Sequence, residues 1–172
     1  MPAEHLADEQ VRTQMGIPTS LTFKTKPELG LELLAQHLAA GIAIPWCTAD
    51  AVYGRDRKLR GFCENNGVGY VLGVPCSFQI TLTAGVTMRA DATLKILSHR
   101  TWQIVSCGPG SKDRYYAFAW LSTISPHHLV LIRRSLAKPS EVAYFYCFIP
   151  EYTPATLSVL VAVYGRRWTV VM

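Results

Sequence analysis

The sequence predicts an α/β layer over residues 25–75, a mostly antiparallel β section over 76–150, and a return to helix over 151–172. Three observations predict this. Residues 26–74 alternate helical and buried-strand patterns with tight connections, the rhythm of parallel pairing. Five β-rich runs follow, separated by turns containing Gly and Pro. Of the 172 residues 49% are apolar and only 17% are charged, which suits a substantial core and excludes wholesale disorder.

Residues 1–24 show little periodicity and read as an irregular leader. Lys26-Pro27-Glu28 predicts a helix start, with Pro in the first turn and Glu at the positive end of the dipole. Leu29, Leu33, Leu34 and Leu38 then share one face, and Gly41 supplies the stop. The apolar run 42–49 lacks polar alternation and suits a buried strand ending at Asp50. Ala51-Val52-Tyr53-Gly54 turns into a second helix with Leu59, Phe62 and Cys63 as its stripe; Asn65-Asn66-Gly67 closes it, and 68–74 reads as another buried strand. Runs at 78–82, 102–106, 115–124, 127–133 and 142–149 read as strands, with one helix near 90–99. From Thr153 the helical pattern returns, with Pro154 in its first turn and Leu157, Leu160, Val161 and Tyr164 as its buried face. That pattern reaches the last residue without a cap, which predicts a helix cut short.

Composition excludes several classes. The five cysteines, at 47, 63, 76, 107 and 147, are odd in number and form no Cys-x-x-Cys pair, so scattered thiols are expected rather than a zinc site or disulfide framework. His127 and His128 are adjacent on a strand, point to opposite faces and cannot grip one ion together. The first ten residues carry Glu4, Asp8 and Glu9 without Lys or Arg, unlike a secretory signal. No apolar run reaches the roughly 18 residues needed for a bilayer span, so the chain reads as cytoplasmic and without a membrane partner. Charge is uneven. Residues 1–50 hold three Lys/Arg against six Asp/Glu, whereas 51–172 hold fourteen against six. A basic body favours an anionic partner, of which nucleic acid is the commonest.

Asp50 carries the most chemical information. It stands at the C-terminal end of an expected buried strand, before a Gly-containing turn, where α/β folds place side chains in a shared crevice. A carboxylate there suits Mg²⁺, a hard ion that prefers oxygen ligands. It equally suits the capping of the following turn.

A wider set of segments supplies a resemblance. Lys26-Pro27-Glu28-Leu29 and then the run from Trp46-Cys47-Thr48-Ala49-Asp50-Ala51-Val52-Tyr53-Gly54 through Arg60 resemble the surroundings of the second catalytic Asp in bacterial insertion-sequence transposases of the DDE type. The similarity continues through Gly69-Tyr70-Val71-Leu72-Gly73-Val74-Pro75, Leu131-Ile132-Arg133-Arg134-Ser135 and Gly165-Arg166-Arg167-Trp168 in the family's order, covering about residues 20–170. The resemblance implies a partial ribonuclease-H-like fold with residues 76–150 as a β-rich insertion. It also implies the family chemistry, in which two Asp and one Glu hold two divalent ions, Mg or Mn, for in-line attack on a DNA phosphate. Asp50 is the implied metal ligand and catalytic residue. Tyr164 and Arg167 match the Glu-bearing helix of the family, but Val171 stands in the Glu position. Ala51 replaces the usual acid after Asp50, and the leader offers only Asp8, in no strand-like context. The expectation is an internal fragment with one carboxylate of three, little Mg affinity and no cleavage activity of its own.

The remaining candidates concern DNA. Arg133 and Arg134 are phosphate contacts by resemblance and a solvated pair otherwise. Arg55, Arg57, Lys58 and Arg60 form a basic run just past Asp50, either a DNA-backbone contact or a solvated helix face. Tyr164 and Arg167 share one helix face and by resemblance position a phosphate beside the metals. Implied partners are transposon-end DNA, a full-length transposase or a second copy, because the strand at 42–49 is expected to leave an unpaired apolar edge. The alternatives to a truncated enzyme are a regulator that inhibits a full-length transposase and a remnant without function.

Overall fold

Local signals start and stop each element of the computed structural model, which describes residues 8–108, 114–154 and 156–166. Helix α1 (Glu9–Gln14) lies inside the stretch predicted to be irregular. The Asp8 carboxylate starts it by accepting hydrogen bonds from the amides of Gln10 and Val11. Six residues are too few to show a helical period, so the cap is its sole sequence signal.

Helix α2 (Lys26–Ala39) begins with a capping box. The Thr25 hydroxyl accepts from the Glu28 amide, and the Glu28 carboxylate accepts from the Thr25 amide at 2.8 Å. Strand β1 (Trp46–Ala49) is half the expected length, because Pro45 precedes it and cannot donate to a ladder. The single turn α3 (Ala51–Gly54) and helix α4 (Arg57–Asn65) follow, the latter capped by Asp56 onto the Leu59 amide at 2.8 Å. Strand β2 (Gly69–Val74) pairs parallel with β1, from Trp46↔Gly69 to Ala49↔Leu72, as the alternating pattern predicts.

A separate hairpin comes next, β3 (Gln79–Thr81) with β4 (Thr87–Arg89), the second of which the sequence does not reveal. In place of the helix expected near 90–99 the chain forms two 3-10 turns, Asp91–Lys95 and His99–Thr101. Buried Thr93 donates its hydroxyl to the Ala90 carbonyl at 2.6 Å, a local bond that competes with helix propagation. Strands β5 (Gln103–Ser106), β6 (Tyr115–Ser122), β7 (His128–Ser135) and β8 (Val142–Phe148) then run antiparallel to their neighbours, and helix α5 (Leu157–Arg166) closes the described chain.

All but the β3–β4 hairpin join one six-stranded sheet in the order β1-β2-β8-β7-β6-β5. The change at residue 75 is therefore a change of pairing direction inside a single sheet, since β2 pairs antiparallel with β8. This mixed α/β arrangement is compatible with a partial ribonuclease-H-like fold. Every residue of β2 is buried, as befits a strand covered on both faces. On one face Leu157, Leu160, Val161 and Tyr164 of α5 pack on Val71, Phe118, Leu131 and Phe145, the helix face that the spacing predicts. On the other, Ile80 and Ala90 cover Val130, Ile132 and Tyr144, while Leu34 and Leu38 of α2 lie over Cys63, Tyr70 and Leu72.

The predicted apolar stripe of α2 is only half used: Leu29 and Leu33 remain 49% and 56% exposed. Strand β1 ends the sheet, and Leu33 shares a hollow with its Cys47, Thr48 and Ala49. Among the described residues no helix is long and apolar enough to cross a membrane.

Candidate active site around Asp50

The strand β1 delivers Asp50 to the end of the parallel pair, the position at which an α/β sheet opens a crevice. Its backbone is extended (φ −81°, ψ −174°), and its Oδ1 accepts a hydrogen bond from the Val52 amide at 2.9 Å. Asp50 therefore caps α3. Capping occupies one acceptor position, and the exposed carboxylate keeps others free.

Two hollows meet at this side chain. The larger, about 670 Å³, lies between α2, β1 and α3 and includes Leu33, His37, Thr48 and Tyr53. The smaller, about 360 Å³, lies between the start of α3 and the β2–β8 pair, against Gly73, Val142 and Tyr144. Two glycines make the turn possible. A Cβ on Gly54 would collide with the carbonyl of Gly73, and one on Gly73 would come within 3.1 Å of the Ala51 nitrogen and 3.3 Å of Asp50 Cα. The α3 turn is thus pressed directly onto the backbone of β2, which fixes the direction in which Asp50 leaves β1. Tyr53 completes the wedge, its ring filling the space that Gly30 leaves on α2.

Neither hollow contains a second carboxylate, and no cluster of three or more His, Cys, Asp or Glu exists among the described residues. One carboxylate with one oxygen already engaged does not fit a two-ion centre, which needs bridging and flanking oxygen ligands. Among the described residues, the lining of the two hollows offers no carboxylate besides Asp50.

The cationic candidates separate into three groups. Arg55, Arg57 and Lys58 are exposed at the α3–α4 junction, close after Asp50 in the chain. Arg60 is half-buried; it donates to the Gly54 carbonyl and its guanidinium lies 5.3 Å from the Phe78 ring and 5.8 Å from Tyr146. It ties α4 to the turn that carries Asp50.

Arg133 and Arg134 point to opposite faces of β7. Arg133 donates to the hydroxyl of buried Tyr164 at 2.7 Å, lies 4.5 Å over Tyr116 and approaches Glu141 at 3.5 Å. Arg134 lies 4.0 Å over Trp102. Both pair in register with residues of the smaller Asp50 hollow, Arg133 with Ala143 and Arg134 with Val142. Arg167 and Val171 lie outside the described residues.

A second polar constellation escapes sequence reasoning. The buried Tyr70 hydroxyl donates to Glu64 at 2.7 Å; the same Glu64 oxygen lies 3.1 Å from His128 Nε2, and His128 Nδ1 lies 2.7 Å from the Ser125 hydroxyl. Burial, reinforced by the Glu64 hydrogen bond, pushes the Tyr70 hydroxyl well above the ordinary tyrosine pKa. Strand alternation placed one histidine of the His127-His128 pair inward, but nothing local signals a partner 64 residues away.

A strand-end Asp at the crevice of a mixed α/β sheet is what this geometry defines. A family model described as DDE superfamily endonuclease matches residues 1–91, just over half of the chain. The chain belongs to that family. The match contains β1, Asp50, both helices beside it and β2. No curated protein matches the chain. The family's enzymes are in general dependent on divalent metal.

Proposed function

We propose that this chain is a truncated DDE transposase which supplies one metal-binding carboxylate, Asp50, and does not cleave DNA by itself. The observation that carries this reading is the lining of the Asp50 crevice: among the described residues, one acid and no second carboxylate on either side of it. In the family reaction the metal ions would polarise the attacked phosphate and activate the attacking oxygen. Asp50 would hold such an ion only with acids supplied from elsewhere. Arg55 and Lys58 would contact the DNA backbone beside it, as exposed cations close after Asp50 in the chain. Arg133 and Arg134, one strand beyond the smaller hollow, would contact phosphates at its rim. Tyr164 would position Arg133, and Arg167, outside the described residues, would contact a phosphate as the resemblance implies.

Incubation of the purified chain with Mg²⁺ or Mn²⁺ and supercoiled DNA is expected to give no nicking above a metal-free control. Metal-dependent nicking that disappears in Asp50→Ala would overturn the reading.

A second reading has its own support. Among the described residues the outer side of β1 has no strand partner; Leu33 shares a hollow with it, and Ile42 and Val52, close to its two ends in the chain, are exposed. An open apolar edge of this kind pairs readily with another chain. We propose that the chain self-associates, or docks on a full-length transposase, through this edge. Light scattering after gel filtration is expected to show a dimer or larger species that Leu33→Glu dissociates. A monomer at all concentrations would remove this reading while leaving the first intact.

A further inference from the structure

Arg55, Arg57 and Arg60 line a third hollow, of about 470 Å³, which shares no residue with either hollow at Asp50. The opposite wall comes from β3 and the β6–β7 turn, with Ile80, Thr81, Thr123, Ile124 and Ser125, and Phe78 and Tyr146 complete it.

The charge in this hollow is unbalanced. No carboxylate lines it. Asp56, between the two exposed arginines, is spent on capping the Leu59 amide. Glu64, two turns further along α4, is held by Tyr70 and His128. Arg60 is immobilised by the Gly54 carbonyl and the two rings below it, so a fixed guanidinium sits beside two free ones. Neither Arg55 nor Arg57 takes part in an ion pair among the described residues.

The apolar part of the rim is equally unexplained by folding. Ile124 is 63% exposed, although it follows a buried Thr123 whose hydroxyl lies within hydrogen-bond reach of the Ser125 and His128 carbonyls. Unpaired cations and a bare apolar side chain at one hollow suit a single ligand: an anionic group joined to a flat, weakly polar ring. Guanidinium forks match phosphate oxygens in pairs. A base packs on apolar and aromatic side chains whatever its identity. The volume lies in the range of small-ligand sites.

We infer that this hollow binds a nucleotide unit, with the phosphate on Arg55 and Arg57 and the base against Ile124 and Phe78. The site needs no metal and no contribution from Asp50; it deepens the DNA contact proposed above for Arg55 by placing it in this hollow, and adds Arg57, Ile124 and Phe78 to it. A free nucleotide and one unit of a single strand present the same chemistry here.

The test uses the full chain in EDTA, with fluorescein-labelled oligothymidylate followed by polarisation and with AMP and inorganic phosphate as competitors. Arg55→Ala/Arg57→Ala is expected to weaken oligonucleotide binding about tenfold and to lower the slope of log affinity against log salt by about 0.7 per arginine. Ile124→Ser is expected to weaken binding without changing that slope, an effect that lost charge alone does not give. AMP is expected to compete at lower concentration than inorganic phosphate. Binding of AMP without the strand assigns the site to free nucleotides, and tight strand binding with weak AMP competition assigns it to single strands; both support the site. It is overturned if the double arginine variant binds like wild type, or if Lys95→Ala/Lys138→Ala, which removes two charges that do not line the hollow, weakens binding as much. A silent Ile124→Ser with AMP no better than phosphate also overturns it. Loss of binding in Asp50→Ala would move the ligand to the other crevice and likewise end the proposal. The nicking assay has no bearing on any of these outcomes.

Discussion

Gly54→Ala is expected to destabilise the fold by about 3 kcal/mol or more, at the upper end of overpacking effects. The added Cβ meets the Gly73 carbonyl, a backbone atom that cannot swing aside like a side chain. Relief requires α3 to lift from β2, and that would also break the hydrogen bond from Arg60 to the Gly54 carbonyl and reorient Asp50. Gly61→Ala provides the control. Nothing lies within 4 Å of a Cβ at Gly61, which sits inside α4, so that variant is expected to gain up to about 1 kcal/mol from helix propensity. Urea unfolding of the two variants beside wild type measures both effects, and equal midpoints for Gly54→Ala and wild type would disprove the close packing of α3 on β2.

Stability is also expected to fall steeply at alkaline pH. Burial raises the thiol pKa of Cys147, and burial with the Glu64 hydrogen bond raises the hydroxyl pKa of Tyr70. Both groups stay protonated in the folded chain after their unfolded counterparts have ionised. Each therefore contributes its full stabilisation below the unfolded pKa, about 8.5 for Cys and 10 for Tyr, and loses it as pH rises towards the folded value. The loss is about 1.4 kcal/mol per pH unit for each group, first from Cys147 and later from both. Unfolding free energies measured from pH 7 to 11 under reducing conditions are expected to bend downward near pH 8.5 and again near 10. Tyr70→Phe should weaken the second bend, to which buried Tyr144 and half-buried Tyr146 also contribute, and a flat profile to pH 11 would show that these groups titrate normally in the folded state.

The parts of the fold that announce themselves in the sequence are those with a local cause. Lys26-Pro27-Glu28 marks the start of α2, and the unalternating run before Asp50 marks β1 at the end of which a functional carboxylate was expected. The face Leu157, Leu160, Val161 and Tyr164 is buried as its spacing requires. Elements of three to six residues, such as β4 and α1, are shorter than any period that could reveal them. Pairing between distant strands has no local cause either, so the joining of β2 to β8 is not legible. The case of Arg133 and Arg134 is different. The same two-residue alternation that separates His127 from His128 also separates this pair, so their opposite directions were legible all along. Their partners, Tyr164 and Trp102, were not. At the site, the position of Asp50 was legible from the strand end and Gly54, whereas the three-arginine hollow depends on a β6–β7 turn about 70 residues further along the chain.

The pairing of β2 with β8 has a consequence for the order in which this chain acquires structure. The strand at the heart of the family-matched stretch is buried along its whole length, yet one of its two neighbours is residues 142–148, well beyond residue 91. Closing that pair means bringing together segments separated by the β3–β4 hairpin and three further strands, a late and entropically costly event. Until then β2 has hydrogen-bonding partners on one side only, in β1. The β5–β8 meander is built from neighbouring segments and can form first, offering β8 as the template on which β2 docks. Residues 1–91 are thus a unit of descent without being a unit of folding.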